Sequence, residues 1–300
     1  MSDGLTFVLV HGAWHGGWCW VRVVDRLRAR GHRVFTPTCT GLGERAHLLS
    51  ETITLDTFVR DVAGVIAAEE LTDVVLVGHS FGGLVVSGVA EAMPERLRHL
   101  VYLDALIVQA GRAPFDGVPP EVAAARRRAA AESSGGLSLP PPPAEAFGVL
   151  DPADAAWVER RLTPHPLSTY ESPLPIRGPV GNGLPRTYVD CTAPSYPTLD
   201  GVKDWVRRQP DWGWRDLATG HDAMVSAPGP LAEMLVELGR DGVLMPGPKR
   251  GSSRTFPRLS RPDAARSIIP SSPRCGRDRS RSAAGRSCGP PAPPSRRERR

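Results

Sequence analysis

Several features that would announce a function outright are missing from this 300-residue chain. No window approaches the ~18 consecutive apolar residues of a membrane-spanning helix, so no membrane partner is expected. Met1-Ser2-Asp3-Gly4 lacks the basic start of a secretory leader, and the apolar run Phe7–Val10 is too short for a leader's core. Cysteine is scarce. Cys19, Cys39, Cys191, Cys275 and Cys288 are odd in number, scattered, and form no C-x-x-C pair. That usage suits a reducing compartment rather than a disulfide framework, and a cytoplasmic protein is expected. Metal motifs are missing too: His11 and His15 share a loop with no intervening Glu and no third ligand nearby, so neither metal nor cofactor is expected. The lone G-x-G at Gly41-Leu42-Gly43 is too little for a phosphate site.

Charge is unevenly spread. The last 60 residues, Asp241–Arg300, hold 15 Lys and Arg against 4 Asp and Glu, so a chain of net charge +5 leaves −6 on residues 1–240. The basic character therefore belongs to the end of the chain, and a mildly acidic body argues against nucleic acid as the folded part's partner. Residues 241–300 are rich in Pro, Ser and Arg and have no period, the composition of a disordered, passive tail. What remains is ample for a single core, expected over residues 4–240.

What the body does contain is an alternation of strands and helices. Leu5–Val10 is a near-continuous apolar run, as in a strand buried on both faces. Trp20–Arg30 reads as a helix closed by Gly31, His32–Pro37 as a strand, and Asp56–Glu70 as a helix with Phe58, Val59, Val62 and Ile66 on one face. Val74–Val77 and His99–Asp104 are further strands around a Gly-rich helix that stops at Pro94. This order predicts an α/β fold with a parallel sheet covered by helices on both faces. The alternation then breaks for about eighty residues, with helices expected at Glu121–Glu132 and within Ala144–Leu162. Such a stretch inside a compact domain predicts an inserted cap, about 106–185. Arg186–Cys191, Leu199–Gln209, Trp214–Leu217 and Pro228–Leu238 resume the strand–helix pattern.

The stretch that carries chemistry is Val74–Val77 followed by Gly78-His79-Ser80-Phe81-Gly82 and a helical pattern. A G-x-S-x-G pentapeptide between strand and helix is the setting of a nucleophile elbow, which predicts Ser80 as a nucleophile. A serine hydroxyl needs a positioned base. His221, preceded by Gly220, is the histidine in a loop after the last strand, and Gly220 is expected to let that loop approach the elbow.

Four segments together, His11–Trp18, Gly78–Gly83, Val101–Ala105 and Gly220–Met224, make the chain resemble the α/β-hydrolase family. The similarity covers about Leu5 to Leu238, and its nearest branch is that of plant methylesterases and hydroxynitrile lyases with their bacterial esterase relatives. It implies a cofactor-free Ser-His-acid site on a six-stranded, mostly parallel sheet. It also implies an oxyanion hole of the Phe81 and Ala13 N–H groups, with Gly12, Trp14, His15 and His79 around the substrate pocket. The branch usually carries its acid a few residues beyond the next-to-last strand, where this chain has Ala193, Pro194 and Ser195. Asp104, at the end of the strand after the nucleophile helix, is the favoured acid, with Asp190 and Asp200 as alternatives. Lyases of this branch use a Thr or Asn after the first-strand His or a Lys beside the base, whereas this chain has Gly12 and Asp222. The expected activity is therefore hydrolysis of small or aromatic carboxylic esters through an acyl-enzyme. A hydroxynitrile or related C–C lyase is the alternative, and a non-catalytic ligand-binding fold the second. The expected partner is a small-molecule ester, with a homodimer also open.

Overall fold

The structure is a computed structural model that describes residues 4–241. The expected tail lies outside the described residues from 242 onward. Strand β1 (Thr6–Val10) comes from the first apolar run, and Phe7, Val8, Leu9 and Val10 are all fully buried. Their alternation decides the layering: Phe7 and Leu9 face one hydrophobic cluster, Val8 and Val10 the other. A 3₁₀ turn at Gly17–Trp20 leads into α1 (Val21–Ala29), which Gly31 closes at φ +82°. Strand β2 (Arg33–Phe35) is shorter than expected. His32 is outside it because its Nδ1 accepts the Leu5 N–H at 3.0 Å, anchoring the strand's approach by a side chain.

Helix α2 (Leu55–Ala68) starts at a Thr54–Thr57 capping box, and β3 (Val74–His79) is buried along its whole length. Next come α3 (Gly82–Ala92) and β4 (Leu97–Leu103). The stretch before the next sheet strand contains α4 (Pro120–Ser134), β5 (Ser138–Leu139), α5 (Pro152–Glu159), β6 (His165–Pro166) and α6 (Ser168–Glu171). The chain ends its described part with β7 (Arg186–Cys191), α7 (Asp200–Arg207), β8 (Gly213–Leu217), α8 (Ala223–Ser226) and α9 (Pro228–Asp241).

The main sheet has six strands in the order β2-β1-β3-β4-β7-β8, and every pairing in it is parallel. The chain winds outward from β1 to β2, then returns to β3 on the other side of β1. The carboxyl ends of β1 and β3 therefore flank a topological switch point, where open α/β sheets hold their ligands. Helices α1 and α9 cover one face, burying Trp20, Leu27, Leu231 and Leu235 with Phe7 and Leu9. Helices α2 and α3 cover the other with Phe58, Val62, Leu84 and Val86.

Between β4 and β7, β5 and β6 pair antiparallel in a two-stranded ribbon. Phe115, Phe147 and Tyr170 of this segment are buried. It lies over the elbow: the Phe81 ring is 4.7 Å from that of His165 and 4.8 Å from that of Tyr170. No helix among the described residues is long and apolar enough to cross a membrane.

Candidate active site

The elbow depends on two glycines. A Cβ on Gly78 would lie 2.5 Å from the Gly82 carbonyl oxygen, and one on Gly82 would lie 2.8 Å from the carbonyl oxygens of Val10 and His11. Strand β3, helix α3 and strand β1 can meet this closely only without those carbons. Ser80, between them, sits at φ +52°, a left-handed conformation that a serine adopts at a cost of about 1–3 kcal/mol. Its backbone is held on both sides, with Ser80 N–H donating to Leu103 O at 3.1 Å and Leu106 N–H donating to Ser80 O at 2.9 Å. Asp104 at φ +39° and Trp14 at φ +64° share the conformation. The three strained residues follow β3, β4 and β1, side by side at the sheet's carboxyl edge.

His221 and Asp104 meet across 117 residues of sequence. His221 Nδ1–H donates to Asp104 Oδ2 at 2.6 Å, with both side chains buried. The bond fixes the tautomer and leaves Nε2 as the free ring nitrogen. Burial pushes the Asp104 carboxyl up, but His221 and then Lys203 outweigh it and hold it below the usual carboxylate range. The His221 ring stacks against Tyr196, centroids 4.1 Å apart, and lies 4.6 Å from the ring of His79, the residue before Ser80. The other two candidate acids lie elsewhere. Asp190 pairs with Lys203 at 2.6 Å and Arg207 at 3.1 Å, while Asp200 is exposed at the start of α7.

Of the expected pocket residues, Trp14 lines a cavity of ≈ 20 Å³ together with Ser80, Leu106, Arg126, Tyr170 and Tyr196. That is room for about one water molecule. Gly12, His15 and His79 are not among its lining residues. Gly12 lies behind the elbow, where a Cβ would come 2.9 Å from both Ser80 Cβ and His79 Nδ1. His79 Nε2–H donates to the His221 carbonyl at 3.0 Å, and burial holds its imidazole down to about 3, so it is a neutral brace for the His221 loop. His15 Nε2 meets Asp222 Oδ2 at 3.0 Å in a fully buried pair. His11 spends both ring nitrogens on backbone, bonding Gly12 O at 2.8 Å and accepting the Cys39 N–H at 3.1 Å.

Ala13 and Phe81, the expected oxyanion donors, are buried beside the elbow. Neither N–H is spent on a backbone acceptor among the described residues. Gly220 departs from expectation. Its missing Cβ admits the Gly148 carbonyl oxygen, 2.5 Å from where that carbon would stand, so it accommodates the inserted segment rather than the elbow. Sequence reasoning passed over Lys203, Arg126 and Tyr196. The signal for Lys203 was its place between Leu199 and Val206, on the inward face of its helix.

Residues 7–234 match the α/β hydrolase family. A carbendazim hydrolyzing esterase from Nocardioides sp. (strain SG-4G) is 45% identical over 241 residues, covering 78% of this chain and 99% of that protein. Methyl jasmonate esterase 1 of Vitis vinifera is 35% identical over 103 residues, 33% of this chain and 38% of that protein. Among solved structures, an extracellular α/β-hydrolase from a Paenibacillus species superposes with a TM-score of 0.67 at 24% identity, over 79% of this chain and all of that one. The chain belongs to the α/β-hydrolase family, in its esterase branch.

Proposed function

We propose that the chain is a serine esterase that cleaves small or aromatic carboxylic esters, with Ser80 as nucleophile, His221 as general base and Asp104 as the acid that orients it. The observation that carries the reading is the 2.6 Å bond from His221 Nδ1 to Asp104 Oδ2, which leaves Nε2 as the nitrogen to take a proton. Ser80 Oγ attacks the ester carbonyl as its proton passes to His221 Nε2, and the resulting oxyanion takes the Phe81 and Ala13 N–H groups. The tetrahedral intermediate expels the alkoxide, which leaves as the alcohol with the proton from His221. Water, deprotonated in turn by His221, splits the acyl-serine to the carboxylic acid and restores Ser80.

Hydrolysis is favoured over a lyase reaction by what flanks His221. The next residue is Asp222, a buried carboxylate paired with His15, where a cyanide-releasing site would want a cation. The cavity beside Ser80 is lined by aromatic and aliphatic residues together with Arg126, Thr198 and Ser80 itself, so one charged group stands ready for a polar substituent of the ester. The 45% identical relative, named for hydrolysing carbendazim, supports the same class of reaction.

The test is a panel of p-nitrophenyl and methyl esters, with mandelonitrile alongside, on the wild type and Ser80→Ala. Activated esters should be cleaved and mandelonitrile should not. Ser80→Ala should lose on the order of 10⁴–10⁶ in kcat with its thermal midpoint kept. Full activity in that variant, or cyanide release matching ester turnover, would reject the proposal.

A further inference from the structure

Asp104 has a second partner. Its Oδ2 accepts from His221, and its Oδ1 faces the Lys203 ammonium at 3.0 Å. The same ammonium stands 2.6 Å from Asp190 Oδ1, and Asp190 Oδ2 takes Arg207 at 3.1 Å. Lys203 is only 3% exposed and Asp104 not at all, so this chain of charges runs inward from the surface Arg207 to the imidazole. Burial works against the Lys203 charge, but Asp190 and Asp104 outweigh it and raise the amine above its ordinary value.

We propose that Lys203 is a positioning residue of the triad: it fixes the Asp104 carboxylate and sets how readily His221 takes up a proton. The inference rests on the Ser80–His221–Asp104 reading above. A carboxylate held through one oxygen can still turn about its Cβ–Cγ bond. Held through both, by partners from two different elements, it has one orientation left. The second effect is electrostatic. A bare Asp104 carboxylate would favour the imidazolium form of His221 strongly, and the ammonium on its far oxygen counters that pull. Asp190, one step further out, counters the ammonium.

The other groups around His221 are engaged elsewhere. His79 is neutral, held to about 3 by burial first and His221 second. Asp222 is tied to His15 at 3.0 Å, and Tyr196 presents its ring face. The Asp190–Lys203–Asp104 arrangement also spans the carboxyl ends of β7 and β4. Asp190, on the β7 side, acts through the amine and not on the imidazole.

The prediction is a pair of shifts with opposite signs. Lys203→Met removes the cation and should move the acidic limb of the kcat/KM profile to higher pH by about one unit, with kcat down about tenfold or more. Asp190→Asn leaves the cation less compensated and should move the limb to lower pH. Lys203→Arg should restore the limb towards its wild-type position. Titrating the His221 imidazole by NMR reads the same shifts without turnover, so the result stands apart from the esterase assignment. Limbs that stay put, or that move the same way in both variants, would overturn the proposal. If Lys203→Met does not fold, an unmoved or upward limb in Asp190→Asn is enough to do so.

Discussion

His15 and Asp222 form a buried ion pair, Nε2 to Oδ2 at 3.0 Å, that joins the loop after β1 to the loop carrying His221. His15 Nδ1 bonds the Ala13 carbonyl at 2.8 Å, so both ring nitrogens face acceptors and the ring is held as the imidazolium. Burial, the largest single cause for each, pulls His15 down and Asp222 up, but the charges and hydrogen bonds around them together outweigh it, leaving His15 raised and Asp222 lowered. The pair ties the Ala13 loop to the loop that carries His221. Asp222→Asn should therefore cost about 3–5 kcal/mol by urea unfolding, the range for breaking a buried pair from one side. It should also depress kcat more than it raises KM. A variant within 1 kcal/mol of wild type would show that the pair is not structural.

Asp104→Asn keeps the side chain's shape but offers a donor as readily as an acceptor, so the wrong His221 tautomer becomes favourable. The expected loss is about 10⁴ in kcat, a figure taken from the same exchange in a serine protease. Asp200→Asn should change kcat less than twofold, and Asp190→Asn far less than Asp104→Asn. A larger loss at Asp190 than at Asp104 would move the acid to β7.

Arg126 lines the Ser80 cavity and has no carboxylate within salt-bridge reach among the described residues, whereas its neighbour Arg127 pairs with Glu171 at 2.7 Å. Its guanidinium stands 5.5 Å from the centroid of the Tyr170 ring. Arg126→Leu should lower kcat/KM about 10–100-fold for an ester carrying a free carboxylate, the value of one charge-assisted hydrogen bond. A neutral ester of equal length should change less than about threefold. Equal losses on both substrates would assign Arg126 to the fold.

The pH dependence of stability follows from the buried histidines. Burial is the largest cause holding His79 to about 3 and His11 and His99 to about 4, and it also lowers His165. Unfolded, these rings protonate near 6.5, so below that pH the unfolded chain binds more protons than the native one. Stability should fall as pH drops below about 6.5, by up to about 1.4 kcal/mol per unit for each histidine. Asp222 adds to the acid loss: its contribution is present above its ordinary value and disappears as pH falls through the lowered one. His15 has the opposite sign. Its contribution is complete below about 6.5 and is lost as pH rises through its raised value. Urea midpoints at pH 5, 6, 7 and 8 should peak near neutrality, and a midpoint at pH 5 equal to that at pH 7 would contradict this account.

Ser80 and Asp104 stand out in sequence because each sits just past a strand whose apolar run marks it, whereas His221 follows β8, which has no such run, and stands out by its place in the loop after the last strand. The strands read at Leu5–Val10, Val74–Val77 and His99–Asp104 fall close to β1, β3 and β4. The His15–Asp222 pair was not legible, since 207 residues separate its members and neither lies in a pattern that names the other. His15 and His79 were expected at the pocket on the family resemblance, which carries over positions and not side-chain partners. They are buried supports instead, and local sequence does not distinguish the two roles. Lys203 was hidden by its helix. Only the layering of Leu199, Lys203 and Val206 on one face betrays a buried amine, and that requires knowing which face is inward.

The left-handed backbone at Trp14, Ser80 and Asp104 has a bearing on how this protein would respond to selection for heat resistance. Each position is one where glycine would relax the chain, and each holds a side chain the chemistry or the cavity uses. Only at Ser80 does that exchange trade activity for a calmer backbone, because glycine at Asp104 would leave the buried Lys203 ammonium short of a partner and glycine at Trp14 would remove a ring packed on Phe147 and His165. A search for thermostable variants that ignores turnover should therefore reach the carboxyl end of β3, and one that screens for turnover should leave it untouched.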